Sequence, residues 1–186
     1  MKHNWIFYYV LATLISISLS AQNRKFKFHS INSAGIVGGE SEVKSIFQTI
    51  NGIEFSKWYF GVGVGVDNYS YKTLPLFFDA RRYFGKKNKG FAYVDLGYNF
   101  PLKNTPGKEV GYYNTYNFKG GLYTDFGIGY KIKFIKKSSL LFSLGQSYKE
   151  LQTQIGIVPG CLECQPYLYN YKFGYGRIIL KTGVEF

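Results

Sequence analysis

Apolar residues recur at every second position through most of this chain, and no stretch after residue 22 keeps a helical 3.6-residue period. Period two places successive side chains on opposite faces of an extended strand. The clearest run sets Trp58, Phe60, Val62, Val64 and Val66 against Tyr59, Gly61, Gly63 and Gly65. Residues 91–100 repeat it, with Ala92, Val94, Leu96, Tyr98 and Phe100 on one face. Residues 121–134 carry Leu122, Phe126, Ile128, Tyr130, Ile132 and Phe134 on theirs. The C-terminal run sets Ile178, Leu180, Thr182, Val184 and Phe186 against Arg177, Ile179, Lys181, Gly183 and Glu185. Residues 76–84 and 140–149 read as two further strands, and 26–37 and 43–55 as two more with a fainter alternation. The sum is eight strands.

Connection lengths alternate as well. Residues 56–57, 86–89 and 136–138 are short links, whereas 68–74, 101–118 and 151–167 are long; 38–42 is the short exception among the latter. Short turns at one end and longer loops at the other are the habit of an up-and-down barrel in an outer membrane. The faces agree. One face of each clear strand is apolar, with Arg82 its exception, and the other carries Gly, Ser, Asn, Asp, Lys, Arg and Tyr. A soluble barrel would hide its apolar face inside, whereas an outer-membrane barrel turns it to lipid around a polar lumen. The runs have the length that spanning requires, about 9–11 tilted residues. Trp58, Phe84 and Phe134 fall at the short-turn ends and Tyr98, Phe100 and Tyr148 at the long-loop ends, where aromatic girdles belong.

Composition supports strands over helices. Of 186 residues 22 are Gly, aromatics make up 20%, and only 18% are charged. The N-terminus adds a location. Lys2 precedes a mostly apolar run over residues 5–19, and Ser18, Ser20 and Ala21 follow. That is the layout of a secretory signal. Residues 1–21 are therefore expected to be a cleaved signal peptide, with the cut after Ser20 or Ala21, and 22–186 the barrel. The expected location is the outer membrane of the cell.

Those features resemble the small eight-stranded outer-membrane barrels of Gram-negative bacteria, the OmpA/OmpX-like group, over essentially the whole mature chain. The stretches VGVGVD, LPLFFDARRYF and FAYVDLGYNF are similar to segments of such barrels. The resemblance implies an all-β, eight-stranded antiparallel up-and-down transmembrane β-barrel. It also implies that Leu180, Val184 and Phe186 form the C-terminal signal read by the barrel-assembly machinery. The Gly usual two residues before Gly183 is Lys181 here.

Candidate chemistry is sparse. Asp79, Arg81, Asp95, Asp125, Lys131, Arg177 and Lys181 share the inward faces. In so narrow a lumen they are expected to neutralise one another as a plug; a gated ion path or proton relay is the functional alternative. The mature chain has one histidine, His29, and its neighbour Ser30 faces the opposite way, so a nucleophile–base pair is not expected. Cys161 and Cys164 bracket two residues of the last long loop; two thiols make half a metal site, and a local disulfide is the expected state. Tyr112, Tyr113 and Tyr116 make the loop at 108–118 a candidate binding surface. The formal charge of +12 raises nucleic acid as a partner, but the basic residues follow no groove-sized element and the chain is exported.

The expectation is a non-enzymatic barrel with no catalytic, cofactor or metal residues and no nucleic-acid partner. Outer-membrane lipid surrounds it, and a surface ligand or protein partner engages its outside. The alternatives are a narrow channel, a barrel component of an export or uptake complex, a lipid-modifying enzyme using His29, and a soluble secreted barrel.

Overall fold

In a computed structural model the chain has the eight-stranded ring that its alternation predicts. The structure describes residues 26–39, 42–68, 72–102, 114–135, 138–157 and 167–186; at 114–117 and 156–157 it describes the backbone alone. The signal segment, Tyr112, Tyr113, Cys161 and Cys164 lie outside the described residues, and of Tyr116 only the backbone lies within them.

The strands are β1 (Lys27–Gly38), β2 (Val43–Phe55), β3 (Trp58–Asn68), β4 (Lys72–Phe84), β5 (Gly90–Pro101), β6 (Asn114–Lys119), β7 (Gly121–Lys133), β8 (Ser139–Ile157) and β9 (Tyr167–Glu185). The ring runs β1-β2-β3-β4-β5-β7-β8-β9, each strand antiparallel to its neighbours, and β9 returns to pair with β1. Short links join β2 to β3 and β4 to β5. The first turns at Ser56, whose φ of 59° lies in the left-handed region. The second uses Gly85 (φ 77°) ahead of a 3-10 turn at Lys86–Asn88.

β8 and β9 differ from the sequence reading. Each has 19 residues, against 11 to 13 for the other strands of the ring, so their hairpin runs past it at the long-loop end. Residues 151–157 are strand, where the sequence predicts loop. β6 pairs with this projecting part of β8, from Lys119 opposite Gln152 to Asn114 opposite Ile157.

β6 and β7 are one strand broken by a bulge. Between the pairs Lys119–Gln152 and Tyr123–Lys149, three residues of one strand face two of the other. The extra residue leaves carbonyls out of the ladder. Asn99 fills the gap: its side-chain amide donates to the Gly121 and Glu150 carbonyls, both at 2.9 Å. Gly120 sits so close to Asn99 that a Cβ there would lie 1.7 Å from the Asn99 carbonyl oxygen. Replacing Asn99 by Ala orphans those carbonyls, which costs about 1–3 kcal/mol. In an SDS gel of samples heated stepwise, Asn99→Ala is expected to lose its folded band at a clearly lower temperature than the parent.

The faces alternate as the sequence implies. Outward side chains of β3, β4, β5, β7 and β8 within the ring are apolar apart from Arg82, Thr124, Gln146 and the pair Asn68–Lys72 at the long-loop end. Arg82 stacks over the Trp58 ring, 5.4 Å to its centroid, at the short-turn end. The inside is less uniformly polar than expected. Ile31, Ile50, Tyr59, Phe77, Phe91 and Tyr123 are all buried there.

Candidate functional site: a plugged lumen and an aromatic sheet beyond it

Glycine placement explains how large rings fit a narrow barrel. Phe77 lies opposite Gly63 on β3 and opposite Gly97 on β5, and Phe91 opposite Gly129 on β7. A Cβ at Gly63 would fall 2.4 Å from the Phe77 ring, and one at Gly129 would fall 2.2 Å from that of Phe91. Each ring occupies the space that its cross-strand partner leaves empty. Tyr123 packs at 5.3 Å, centroid to centroid, on Phe77.

Charges are stacked among these rings in three levels. At the short-turn end Lys131 is paired with Glu185, which also accepts from the Tyr83 hydroxyl at 3.2 Å. In the middle, the Arg81 Nε donates to both oxygens of Asp79 at 2.9 Å. The Arg81 guanidinium also lies within 6 Å of the centroids of Tyr59, Phe91 and Tyr93. Lys181 donates to Asp125 at 2.6 Å and to Gln48 at 3.3 Å, and it approaches Asp95 at 3.6 Å. Its ammonium lies 4.3 Å from the Tyr93 centroid, and the Tyr93 hydroxyl donates to Asp125 at 2.9 Å. Toward the long loops Lys149 is paired with Asp67, and the Thr73 hydroxyl donates to the same carboxylate at 2.6 Å.

The structure thus joins Asp79 to Arg81, and Asp95 and Asp125 to Lys181. It separates Lys131, whose partner is Glu185. Arg177 sits apart from the three aspartates, toward the long-loop end, with its guanidinium 5.7 Å from the Tyr175 centroid. The three aspartates are side by side in register, Asp79 opposite Asp95 and Asp95 opposite Asp125. Gln48, Asp67, Lys149 and Glu185 belong to the network, and the sequence reading did not single them out. Their common signal is an inward position on a strand, which was legible for Asp67 and Glu185 from the alternation alone.

His29 stands at the short-turn mouth, 3.5 Å from Glu54 and 3.5 Å from Glu185. These three offer ligand atoms within 4.8 Å of one another, enough for a cation in number. Lys27, Lys87, Lys131 and Lys133 line the same mouth, however, and outnumber the two glutamates. Lys131 already neutralises Glu185.

The other feature is the projecting hairpin. Tyr167, Tyr169, Tyr171, Phe173 and Tyr175 alternate along one face of β9. The first four are exposed, between 44% and 64%. Tyr171 stacks on Phe173 with centroids 6.3 Å apart, and Phe173 meets Tyr175 at 6.4 Å. β1 pairs with β9 only from Gly38 opposite Ile178 onward. Among the described residues, 167–177 of β9 therefore have a neighbour on one side alone, β8. Sequence reasoning placed the aromatic binding surface at residues 108–118; the described aromatic row is on β9.

Comparison with one solved structure, an outer-membrane protein, agrees on the fold. The solid-state NMR structure of outer membrane protein AlkL in DMPC lipid bilayers superposes with a TM-score of 0.50 at 13% identity, over 87% of this chain and 88% of that one. The solution NMR structure of the de novo designed TMB2.3 gives 0.47 at 13% identity, over 89% and 96%. No protein-family model matches the chain, and no curated protein does.

Proposed function

We propose that this chain is an integral outer-membrane β-barrel that serves as an anchored binding element, without catalytic activity and without a pore. The observation that carries this reading is the filled lumen. Tyr59, Tyr123, Asp95, Asp125 and Lys149 each have 0% of their surface exposed. An eight-stranded ring has an interior that side chains just fill, and here rings and ion pairs alternate along its length. A continuous water path has no room beside them, which disfavours the narrow-channel reading. The outer-membrane assignment is supported by the apolar outward faces and by strands long enough to span. Most of the charged side chains of the ring sit inside, where they find partners, and most of the apolar ones outside. A soluble barrel has the reverse arrangement.

With the lumen closed, the chemistry available to a partner lies on the projecting sheet. Tyr side chains there supply rigid, amphipathic contact area at low entropic cost. The open edge of residues 167–177 offers backbone donors and acceptors to an added strand. The binding partner is thus a surface ligand or a protein, and a complex built on the barrel is one form of it.

Two measurements test the reading. In planar lipid bilayers, folded protein is expected to give no discrete conductance steps; reproducible steps would establish the channel instead. In cells, a photo-crosslinking amino acid at Tyr171 is expected to capture an adduct that the same group at Lys57, in a short turn, does not. Equal labelling at both positions would remove the binding role from the projecting sheet.

A further inference from the structure

The outward wall is not apolar all the way round. Over β1 and β2 it carries Ser30, Asn32, Thr49 and Asn51, and β9 adds Thr182 beside them. The register makes these one patch: Ser30 lies opposite Asn51, Asn32 opposite Thr49, and Ala34 opposite both Phe47 and Thr182. Thr49 is the central residue of β2, and Asn32 is near the middle of β1. On a wall turned to lipid, both stand at the level of the hydrocarbon. The small side chains leave a shallow recess of about 590 Å³, bordered by Phe47, Val66, Leu140 and Val184. Phe47 is 59% exposed at its rim.

Lipid tails offer nothing to an amide or a hydroxyl, so such groups at the level of the hydrocarbon need partners on another protein surface. We propose that the β9-β1-β2 wall is an interface within the membrane, and that its occupant is a second copy of this chain. The inference goes beyond the binding role of the projecting sheet and rests only on the lipid-facing assignment of the wall. The patch is uncharged, and Ser, Thr and Asn each donate and accept hydrogen bonds. It is therefore complementary to itself, as a two-fold interface requires. Small residues let two walls approach closely, and the recess lies beside a projecting phenyl ring. Across a two-fold axis, Phe47 of one copy meets the recess of the other.

The test uses single cysteines in a Cys161→Ser, Cys164→Ser background. Ala34→Cys lies in the patch, and Val94→Cys lies on β5, on the opposite wall. Both proteins are folded into phosphatidylcholine vesicles at the same protein-to-lipid ratio and oxidised with copper–phenanthroline. Ala34→Cys is expected to give a band at twice the monomer mass, about tenfold more than Val94→Cys gives. Adding Asn32→Leu and Thr49→Val is expected to abolish that band, while the mobility shift on boiling is kept, which shows that the ring still forms. Equal cross-linking at both walls would overturn the proposal. So would a dimer band that survives the two apolar substitutions, or a monomer that carries a tightly bound lipid in the recess. A cross-link in cells to a different protein alone would also overturn it. Loss of the boiling shift in the parent protein would instead refute the barrel reading itself.

Discussion

Replacing Lys181 by Met is expected to be among the most damaging single changes in this protein. The ammonium is the counter-charge that Asp125 and Asp95 share, at 2.6 and 3.6 Å. Both carboxylates are fully buried. Asp95 stands between Asp79 and Asp125 on the neighbouring strands, and Lys181 is the cation within 4 Å of it. Removing one partner of a buried ion pair costs about 3–5 kcal/mol, because the other charge stays behind. That is a large part of the 5–15 kcal/mol or so that holds a typical fold. Folding yield in detergent micelles, read from the band that shifts only on boiling, should fall steeply. Asp125→Asn added to Lys181→Met should restore a good share of it, since the carboxylate that Lys181 contacts at 2.6 Å is then a neutral amide. A single variant that folds as well as the parent would mean that the middle level does not depend on this ion pair.

Filling the space opposite Phe77 is the second large effect. Gly63→Leu places a branched side chain where the Phe77 ring lies, with Ile50 also 3.0 Å from the new Cβ. Overpacking of this kind typically costs about 1–3 kcal/mol, and here neither neighbour can swing into solvent. Phe77→Ala alone leaves a cavity, at about 3–5 kcal/mol. The double variant Gly63→Leu, Phe77→Ala exchanges the large and small positions across the strand pair. It should unfold at a higher temperature than either single variant. Simple additivity of the two losses would show that the ring does not depend on its glycine partner.

The strands that were plainest in the sequence are those whose outward face carries no charge and at most one polar residue, β3, β5 and β7. β1 and β2 gave a weaker alternation for a reason now visible: Ser30, Asn32, Thr49 and Asn51 occupy their outward positions. Residues 151–157 of β8 read as loop because no bilayer sorts their faces. Gln152, Thr153 and Gln154 are polar in succession, and period two disappears where both sides of a sheet are wet. The inward position of each charge was legible, but its partner was not. Lys131 reaches Glu185, and Lys149 reaches Asp67, because the stagger of a closed ring decides which distant strands stand level. The aromatic content of the lumen was missed for a related reason. A tyrosine or phenylalanine on the polar face looked like filler until its cross-strand glycine was known.

The pairing of β1 with β9 also bears on timing. Ile31 meets Glu185 and Gly38 meets Ile178, so the strand that leaves the ribosome first is completed by the one that leaves last. Every other pair in the ring joins strands close in the chain, and these are hairpins that form locally. The closing pair must bring together segments separated by almost the whole barrel. Until it does, the growing sheet has two bare edges of the sort that recruit stray strands. A chain of this topology therefore keeps both edges bare until β9 reaches β1.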